Sequence, residues 1–121
     1  MRRTVVAVIG AVVLVGSTGR AHHGYTDFFL DQRKSIEGDI YQLRYGNPHI
    51  VLEIRTADET LYTATWGPPY QVERMGATRT TLKVGDHVIV TGAPPRDPAS
   101  RHLMPIRQIL RPRDGWKWPQ P

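Results

Sequence analysis

The sequence predicts an all-β fold with one short helix, built as a five-stranded OB-like barrel. Three observations support this prediction. Short segments alternate apolar and polar residues, which is the period of a half-buried strand. The apolar positions change parity inside the first of these segments, which indicates a bend. A proline-led stretch separates the third segment from the fourth and predicts a helix at the position that this barrel class requires.

The first 21 residues have the three parts of a secretory signal peptide. Arg2 and Arg3 form a positive start, residues 5–15 are apolar or glycine, and a stretch of small residues ends at Ala21. A helix needs about 20 apolar residues to span a bilayer, so a permanent membrane anchor is the weaker interpretation. We expect export to the periplasm or beyond, with cleavage near Ala21.

The predicted mature chain begins with an arm at residues 22–34, which we expect to dock by Tyr25, Phe28 and Phe29. Residues 35–121 are expected to form the barrel domain. Its first strand spans residues 35–45, and the parity change near Ile40 predicts a bulge or sharp bend there.

Two further strands follow in a meander, at residues 49–56 and 60–66. The second strand alternates strictly, which predicts that Ile50, Leu52 and Ile54 face the core and their neighbours face outward. A turn at residues 46–48 precedes it, and a hairpin at residues 58–59 follows it.

The second half of the domain is predicted as a helix and two strands. The helix spans residues 70–75, because Pro69 can start it and Gly76 can end it. Strands are predicted at residues 87–92 and 102–111, and Pro105 marks an edge or bulge in the last one.

Composition excludes several classes of site. The chain has no cysteine, which excludes disulfides and thiolate metal sites. Of its 16 basic residues, three (Arg2, Arg3 and Arg20) precede the expected cleavage site, which leaves 13 basic and 11 acidic residues. This balance gives no general argument for nucleic acid, although the basic stretch after Arg96 suggests either a solvated tail or an anionic partner.

No motif of a common enzyme class is present: the sequence has no H-E-x-x-H, no G-x-S-x-G and no glycine-rich phosphate loop. We therefore expect a binding module more than an enzyme.

His22 and His23 are the most informative residues. Cleavage after Ala21 gives His22 a free α-amine, which together with its own Nδ1 can chelate one metal ion. A further imidazole would complete a three-nitrogen set that suits Cu(II). Cleavage one residue earlier places His23 third and creates a different copper or nickel site, whereas cleavage after Gly19 creates neither. The alternative is an arm with no metal.

His49 is the candidate for the further imidazole, because the Asn47-Pro48 turn directs the next side chain and alternation with Ile50 directs it outward. A surface histidine at a strand start is the alternative. His87 is predicted to be exposed. His102 and Met104 share one strand face and form a weaker candidate pair for Cu(I), with packing of Met104 as the favoured alternative.

The tryptophans suggest a second kind of site. Trp66 is predicted to lie in the core. Trp116 and Trp118 follow the Asp114-Gly115 turn and are predicted to form an exposed contact surface for a ligand. The alternative is that they cover an open end of the barrel. Three hypotheses follow: a copper-binding module, a module for an anionic or extended ligand or a periplasmic protein, and an oxidative copper enzyme.

Several motifs occur together in order along the chain. They are Ala21-His22-His23, Tyr45-Gly46-Asn47-Pro48-His49, Leu82-Lys83-Val84-Gly85-Asp86, Gly92-Ala93-Pro94-Pro95-Arg96-Asp97 and Asp114-Gly115. In this combination the chain resembles an uncharacterised family of small exported bacterial proteins. Gly24 stands where that family usually has serine, and Tyr45 where it usually has tryptophan. The resemblance implies export and a small β-barrel, and it implies no activity.

Overall fold

The computed structural model describes residues 24–121, which are mostly β-sheet with one short α-helix. The predicted signal peptide and both His22 and His23 lie outside the described residues. In chain order the strands are β1 Lys34–Arg44, β2 Val51–Arg55, β3 Leu61–Thr65, β4 His87–Gly92, β5 His102–Leu103, β6 Ile106–Arg111 and β7 Trp116–Trp118. A one-turn 3-10 helix at Tyr25–Asp27 precedes them, and α1 at Pro69–Arg74 lies between β3 and β4.

These strands form one hydrogen-bonded sheet in the order β5-β3-β2-β1-β4-β6-β7. Every pair is antiparallel except β3 with β5, which is parallel. The prediction of a mostly β fold with one short helix is confirmed. The predicted number of strands is wrong, because residues 24–121 form seven strands, and their sheet is not closed into a barrel.

Two local causes explain the extra strands. The predicted fifth strand is divided into β5 and β6 at Met104 and Pro105, because proline has no N–H to continue a ladder. Residues 116–118, expected to be a short exposed segment, pair with β6 as β7.

The predicted bend in the first strand is confirmed. The first half of β1 pairs with β4 and its second half pairs with β2, and the two pairings meet at Asp39. The register shifts between Ile40 and Gln42, so the parity change in the sequence corresponds to a β-bulge. One long strand therefore joins the two halves of the sheet.

The core lies on the face of the sheet that the alternation predicted. Ile50, Leu52 and Ile54 are all 0% exposed. The rings of Trp66 and Trp118 meet edge to face in this core, with centroids 4.9 Å apart. The burial of these apolar side chains supplies the main stabilisation of the sheet.

Helix α1 covers one end of the core. Pro69 occupies its first turn, and Gly76 follows it with a φ of 105°, a conformation that glycine adopts without a steric penalty. Val72 is the buried residue of the helix, and its carbonyl accepts a hydrogen bond from Nε1 of Trp118. The helix thereby ties β7 to the core.

The arm docks on the β4–β5 connection. Phe28 is 2% exposed and packs with Ala93 and Met104, so the predicted docking by aromatic side chains is confirmed for this residue. Tyr25 is different, since 47% of its surface is exposed. Between residues 24 and 121 no helix has the length and apolar character needed to span a bilayer.

Candidate functional site

His49 lies at the entrance to β2 and is half-buried. The ladder extends one residue beyond β2, because Ile50 N–H donates to the carbonyl of Gly67 and Trp66 N–H donates to the carbonyl of Ile50. Ile50 faces the core, so His49 faces outward, as alternation predicted. Its Nδ1 is buried and has no hydrogen-bond partner among residues 24–121. A buried polar nitrogen without a partner is rare and requires an explanation.

The loop before His49 is anchored to α1. The Tyr45 hydroxyl donates a 2.6 Å hydrogen bond to Glu73, and the Arg79 guanidinium lies over the Tyr45 ring at 4.8 Å. Burial, followed by the hydrogen bond to Glu73, raises the pKa of Tyr45 to about 12. The Tyr45 hydroxyl thus remains a hydrogen-bond donor to Glu73 and ties the loop before His49 to α1.

Thr65 lies on the same outward face as His49. Thr65 is opposite Val51 in the β2–β3 ladder, and His49 is two residues before Val51. Diagonal neighbours of this kind have β-carbons about 7–8 Å apart. Although Thr65 faces away from the core, only 6% of it is exposed. Neighbouring side chains therefore cover this part of the outward face.

His102 is one of the groups beside Thr65. In the parallel β3–β5 ladder His102 is opposite Thr63, so it shares the outward face. Its Nε2 lies 2.7 Å from Oγ1 of Thr65. The Phe28 ring meets the His102 ring edge to face, with centroids 5.1 Å apart and planes at 86°. The imidazole is thus held between the sheet and the arm.

Sequence reasoning placed His102 in a different pair. The alternative interpretation of that pair, in which Met104 is a packing residue, agrees with the structure, since Met104 is 6% exposed and packs with Phe28 and Ala93. The contact of His102 with Thr65 was missed. Only the parallel pairing of β5 with β3 creates that contact, and the sequence carries no signal for it.

The start of the arm approaches the same end of the sheet. Tyr25 and Gly67 line one cleft, and Gly67 is the residue whose carbonyl bonds to Ile50, next to His49. His23 is two residues before Tyr25. In the described part of the chain, Phe28 of the arm therefore lies against His102, and strand register places His49 and His102 on the same face as Thr65.

His87 lies elsewhere and forms a separate cluster with two carboxylates of β1. Its Nδ1 is 2.8 Å from Asp39 and its Nε2 is 3.1 Å from Glu37. The hydrogen bond to Asp39, followed by that to Glu37, raises the pKa of His87. The ring is exposed, as predicted, and each nitrogen faces a different carboxylate.

The two C-terminal tryptophans differ in exposure. Trp118 is 6% exposed, so the expectation of an exposed surface is wrong for this residue, which pairs with β6 and packs on Trp66. Trp116 is half-buried, with the Arg111 guanidinium 5.5 Å from its ring centroid. Trp66 is 3% exposed, which confirms its predicted core position.

A cleft of about 430 Å³ lies between the arm, α1 and β6. Apolar side chains form much of its wall, and Gln71 and Arg107 contribute polar groups. Arg107 is the only charged residue in this lining, which contains no carboxylate among the described residues. The wall comprises Tyr25, Leu30, Gly67, Gln71, Val72, Met75, Pro105, Ile106, Arg107 and Trp118.

Among residues 24–121, no three histidine, aspartate or glutamate side chains are arranged to hold a metal ion. On the face that carries Thr65, the described histidines His49 and His102 supply two imidazoles at most. A complete nitrogen site at this end of the sheet would need a ligand from His22 or His23.

Comparison with known proteins identifies the family. Neither the curated proteins nor the solved structures contain a match to the chain. A family model described as "Family of unknown function (DUF6152)" matches residues 10–104, which include the arm, β1–β5 and α1. The resemblance to a family without an assigned function is confirmed at that level. Since the match covers more than half of the chain, the protein belongs to this family of unknown function.

Proposed function

We propose that the protein is an exported OB-like module that binds a transition metal, copper above all, through His22, His23 and His49. The observation that carries this proposal is the buried Nδ1 of His49, which has no partner among residues 24–121. A metal ion, or a group on residues 22–23, would satisfy that nitrogen.

The chemistry of the proposed ligands favours copper. Cleavage after Ala21 gives His22 two adjacent nitrogen donors, its α-amine and Nδ1. Copper heads the affinity order of divalent metals and favours tetragonal nitrogen sites. His49 adds an imidazole from the rigid domain, and His23 is a further nitrogen donor. Metal storage or delivery needs no more than these groups.

The path of the arm supports the meeting of these residues. An extended chain covers at most about 3.6 Å per residue, so His23 lies within about 7 Å of Tyr25 along the backbone. Tyr25 shares a cleft with Gly67, which is hydrogen-bonded to the residue after His49. The arm is therefore long enough to bring a terminal histidine to His49.

An OB-like arrangement, with the sheet curled but not closed, is part of the proposal. β5 pairs with β3 and β6 pairs with β4, yet only Met104 and Pro105 separate β5 from β6 along the chain. Two residues span little distance, so the sheet has to curl until β3 and β4 approach each other. A bent β1, shared by β2 and β4, has the role that this barrel class gives to its first strand.

Copper titration of the processed protein tests the proposal. Protein that begins at His22 is compared with protein that carries one extra methionine before His22. We expect Cu(II) affinity to fall at least tenfold in the extended protein, because the chelating amine is lost. His49→Gln is expected to weaken binding, whereas His87→Gln, which removes a distant exposed histidine, is expected to leave it unchanged.

The intact mass of the exported protein tests the required cleavage. A mass that corresponds to residues 22–121 is expected. A mature chain that begins at Arg20 would remove the proposed chelate, and equal Cu(II) affinity with and without the extra methionine would contradict the site itself.

The cleft favours a second candidate function, the binding of an anionic ligand with an apolar body. Arg107 is its one charged lining residue, and Trp118 contributes an aromatic wall. Binding of such a ligand would weaken with salt and with Arg107→Gln, and would persist after His22→Ala. Trp116 lies outside this lining, so Trp116→Ala is the control variant and should leave binding unchanged. The oxidative copper enzyme has no comparable supporting observation and stays a prediction.

A further inference from the structure

The first half of β1 has a free backbone edge. Ile40 N–H donates to the carbonyl of Asp86, and the Ile40 carbonyl accepts from Gly85 N–H, so both backbone groups of Ile40 point toward the side of β4. Along a strand, the backbone groups of successive residues point to alternate edges. Ser35 and Glu37 are an odd number of residues from Ile40, so their N–H and carbonyl groups point to the edge away from β4.

No strand of residues 24–121 occupies that edge beside Ser35 and Glu37. The ladder between β1 and β2 begins only at the pair of Asp39 and Arg55. Beyond Arg55 the chain turns back into β3 through residues 56–60. In the described part of the chain, the four backbone groups of Ser35 and Glu37 therefore have no ladder partner on this side. Unpaired edge groups of this kind are a template for another strand.

Two adjoining clefts lie between this edge and the β2–β3 hairpin. One, of about 410 Å³, is lined by Ile36 and Tyr62, and the other has a volume of about 480 Å³. Glu37 and Ala57 line both clefts, so the two form one groove. The groove has an apolar side at Ile36 and Tyr62, and its length follows the free edge of β1.

The groove is acidic. Its described lining contains two permanent cations, Lys34 and Arg55, and four carboxylates, those of Glu37, Asp39, Asp58 and Glu59. Arg55 is 3.9 Å from Glu59, and Nζ of Lys34 lies 5.2 Å from the centroid of the Tyr62 ring. His87 lies between Glu37 and Asp39 and is charged only when it is protonated. A neutral imidazole has one N–H, so it can donate to only one of these two carboxylates.

We propose that this edge of β1 binds an extended segment of a partner polypeptide in which basic and apolar residues alternate. The segment adds a strand, a general mode of peptide recognition. Its residues opposite Ser35 and Glu37 face outward, as these two do, and a basic side chain there meets the Glu37 carboxylate. The residue between them faces the core side, against Ile36 and Tyr62. His49 lies outside the groove, so this proposal is independent of the metal site.

The charge of the groove distinguishes this partner from a second copy of the chain. Edge-to-edge pairing of two copies would bring the carboxylates of one groove toward those of the other, and like charges across a strand pair are destabilising. A basic segment replaces that repulsion with attraction. The free backbone groups supply the affinity, and the carboxylates select the partner.

A nuclear magnetic resonance titration of the isolated protein tests the proposal, with the capped synthetic peptide Val-Lys-Val-Lys-Val as the probe. We expect the largest amide shifts at Ser35 and Glu37. Glutamate in place of both lysines should lower the affinity about fivefold or more, because repulsion replaces attraction. Glu37→Lys should have a similar effect. Asp31→Lys is the matched control, since it makes the same charge change at an exposed residue outside the groove, and it should leave the affinity unchanged.

Methylation of the peptide backbone tests strand pairing without changing the protein. A residue directly opposite Glu37 in an antiparallel pair directs its own N–H toward β1, and a basic residue has that position. N-methylation of the lysine amides should therefore weaken binding by about tenfold or more, because edge groups lose their partners. N-methylation of the valine amides, which point away from β1, should have little effect.

Three results would overturn the proposal. Equal losses for the two methylated peptides would mean that charge alone attracts the probe, with no added strand. The absence of shifts at Ser35 and Glu37 would mean that the edge is not a binding site. A concentration-dependent dimer that shifts these same amides without peptide would make a second copy the occupant.

Discussion

Gly38 of β1 lies against the backbone of Arg55 so closely that a β-carbon on Gly38 would be 2.2 Å from the Arg55 carbonyl oxygen. The neighbouring pair, Asp39 and Arg55, begins the β1–β2 ladder at the residue where β1 also leaves β4. The close approach therefore lies at the position where one strand passes from one partner to the other. Glycine at this position permits the bend on which the sheet depends.

Gly38→Ala is expected to lower the free energy of unfolding by about 1–3 kcal/mol, the usual cost of overpacking. The obstacle is a backbone carbonyl, which cannot rotate away as a flexible side chain can. Urea denaturation measures the loss. Gly46→Ala is the control, because nothing lies within 4 Å of a β-carbon there. Equal losses for the two variants would contradict the role assigned to the bend.

Trp118→Ala is expected to lower the free energy of unfolding by about 3–5 kcal/mol, as large truncations in cores do. The substitution removes the edge-to-face contact with Trp66 and the hydrogen bond from Nε1 to the Val72 carbonyl. Lys117→Ala changes the exposed residue beside it and should cost less than about 0.5 kcal/mol. Thermal or urea unfolding compares the two variants. A small loss of unfolding free energy in Trp118→Ala would indicate that β7 contributes little to the core.

Arg111→Met is expected to destabilise the protein by about 3–5 kcal/mol, because it removes the closest cationic partner of the largely buried Asp86 carboxylate. The Arg111 guanidinium donates to Asp86, to Asp114 and to the carbonyl of Thr81, and the side chains of Arg111 and Asp86 are only 11% and 10% exposed. Arg113 is exposed and its guanidinium lies 3.8 Å from the Asp86 carboxylate, so Arg113→Met should change the free energy of unfolding little. Chemical denaturation of both variants decides whether the buried arginine is the important partner.

His87 should make stability depend on pH. Asp39 and Glu37 raise the pKa of His87 in the folded state above its unfolded value of about 6.5. The stabilisation of the folded state by protonated His87 is therefore complete below about pH 6.5 and is lost as the pH rises through the folded-state pKa of His87. Because half of the ring is exposed, we expect no more than about 1 kcal/mol.

The difference in unfolding free energy between the parent protein and His87→Gln measures this effect across pH 5–9. It should be largest at the acidic end and should shrink with added salt, which screens exposed charges. A difference that grows toward alkaline pH would contradict the assignment, since the imidazolium form is the one that binds both carboxylates.

The candidate site divides into parts that sequence reasoning reached and parts that it missed. The outward direction of His49 followed from its alternation with Ile50, a local property of one strand. The hydrogen bond between Thr65 and His102 joins residues 37 positions apart and depends on a parallel strand pair. The burial of Trp118 was also missed, because β7 is short and its partner β6 determines whether it pairs at all.

Local patterns alone were sufficient for the mostly β class, the short helix before Gly76, the bulge beside Ile40 and the core positions of β2. Each depends on residues within a few positions of one another, where side-chain period and backbone sterics dominate. The strand order, the division at Pro105 and the packing of Phe28 against His102 required the folded chain. These features depend on which distant segments bury each other's apolar faces, and that free energy has no local signature in the sequence.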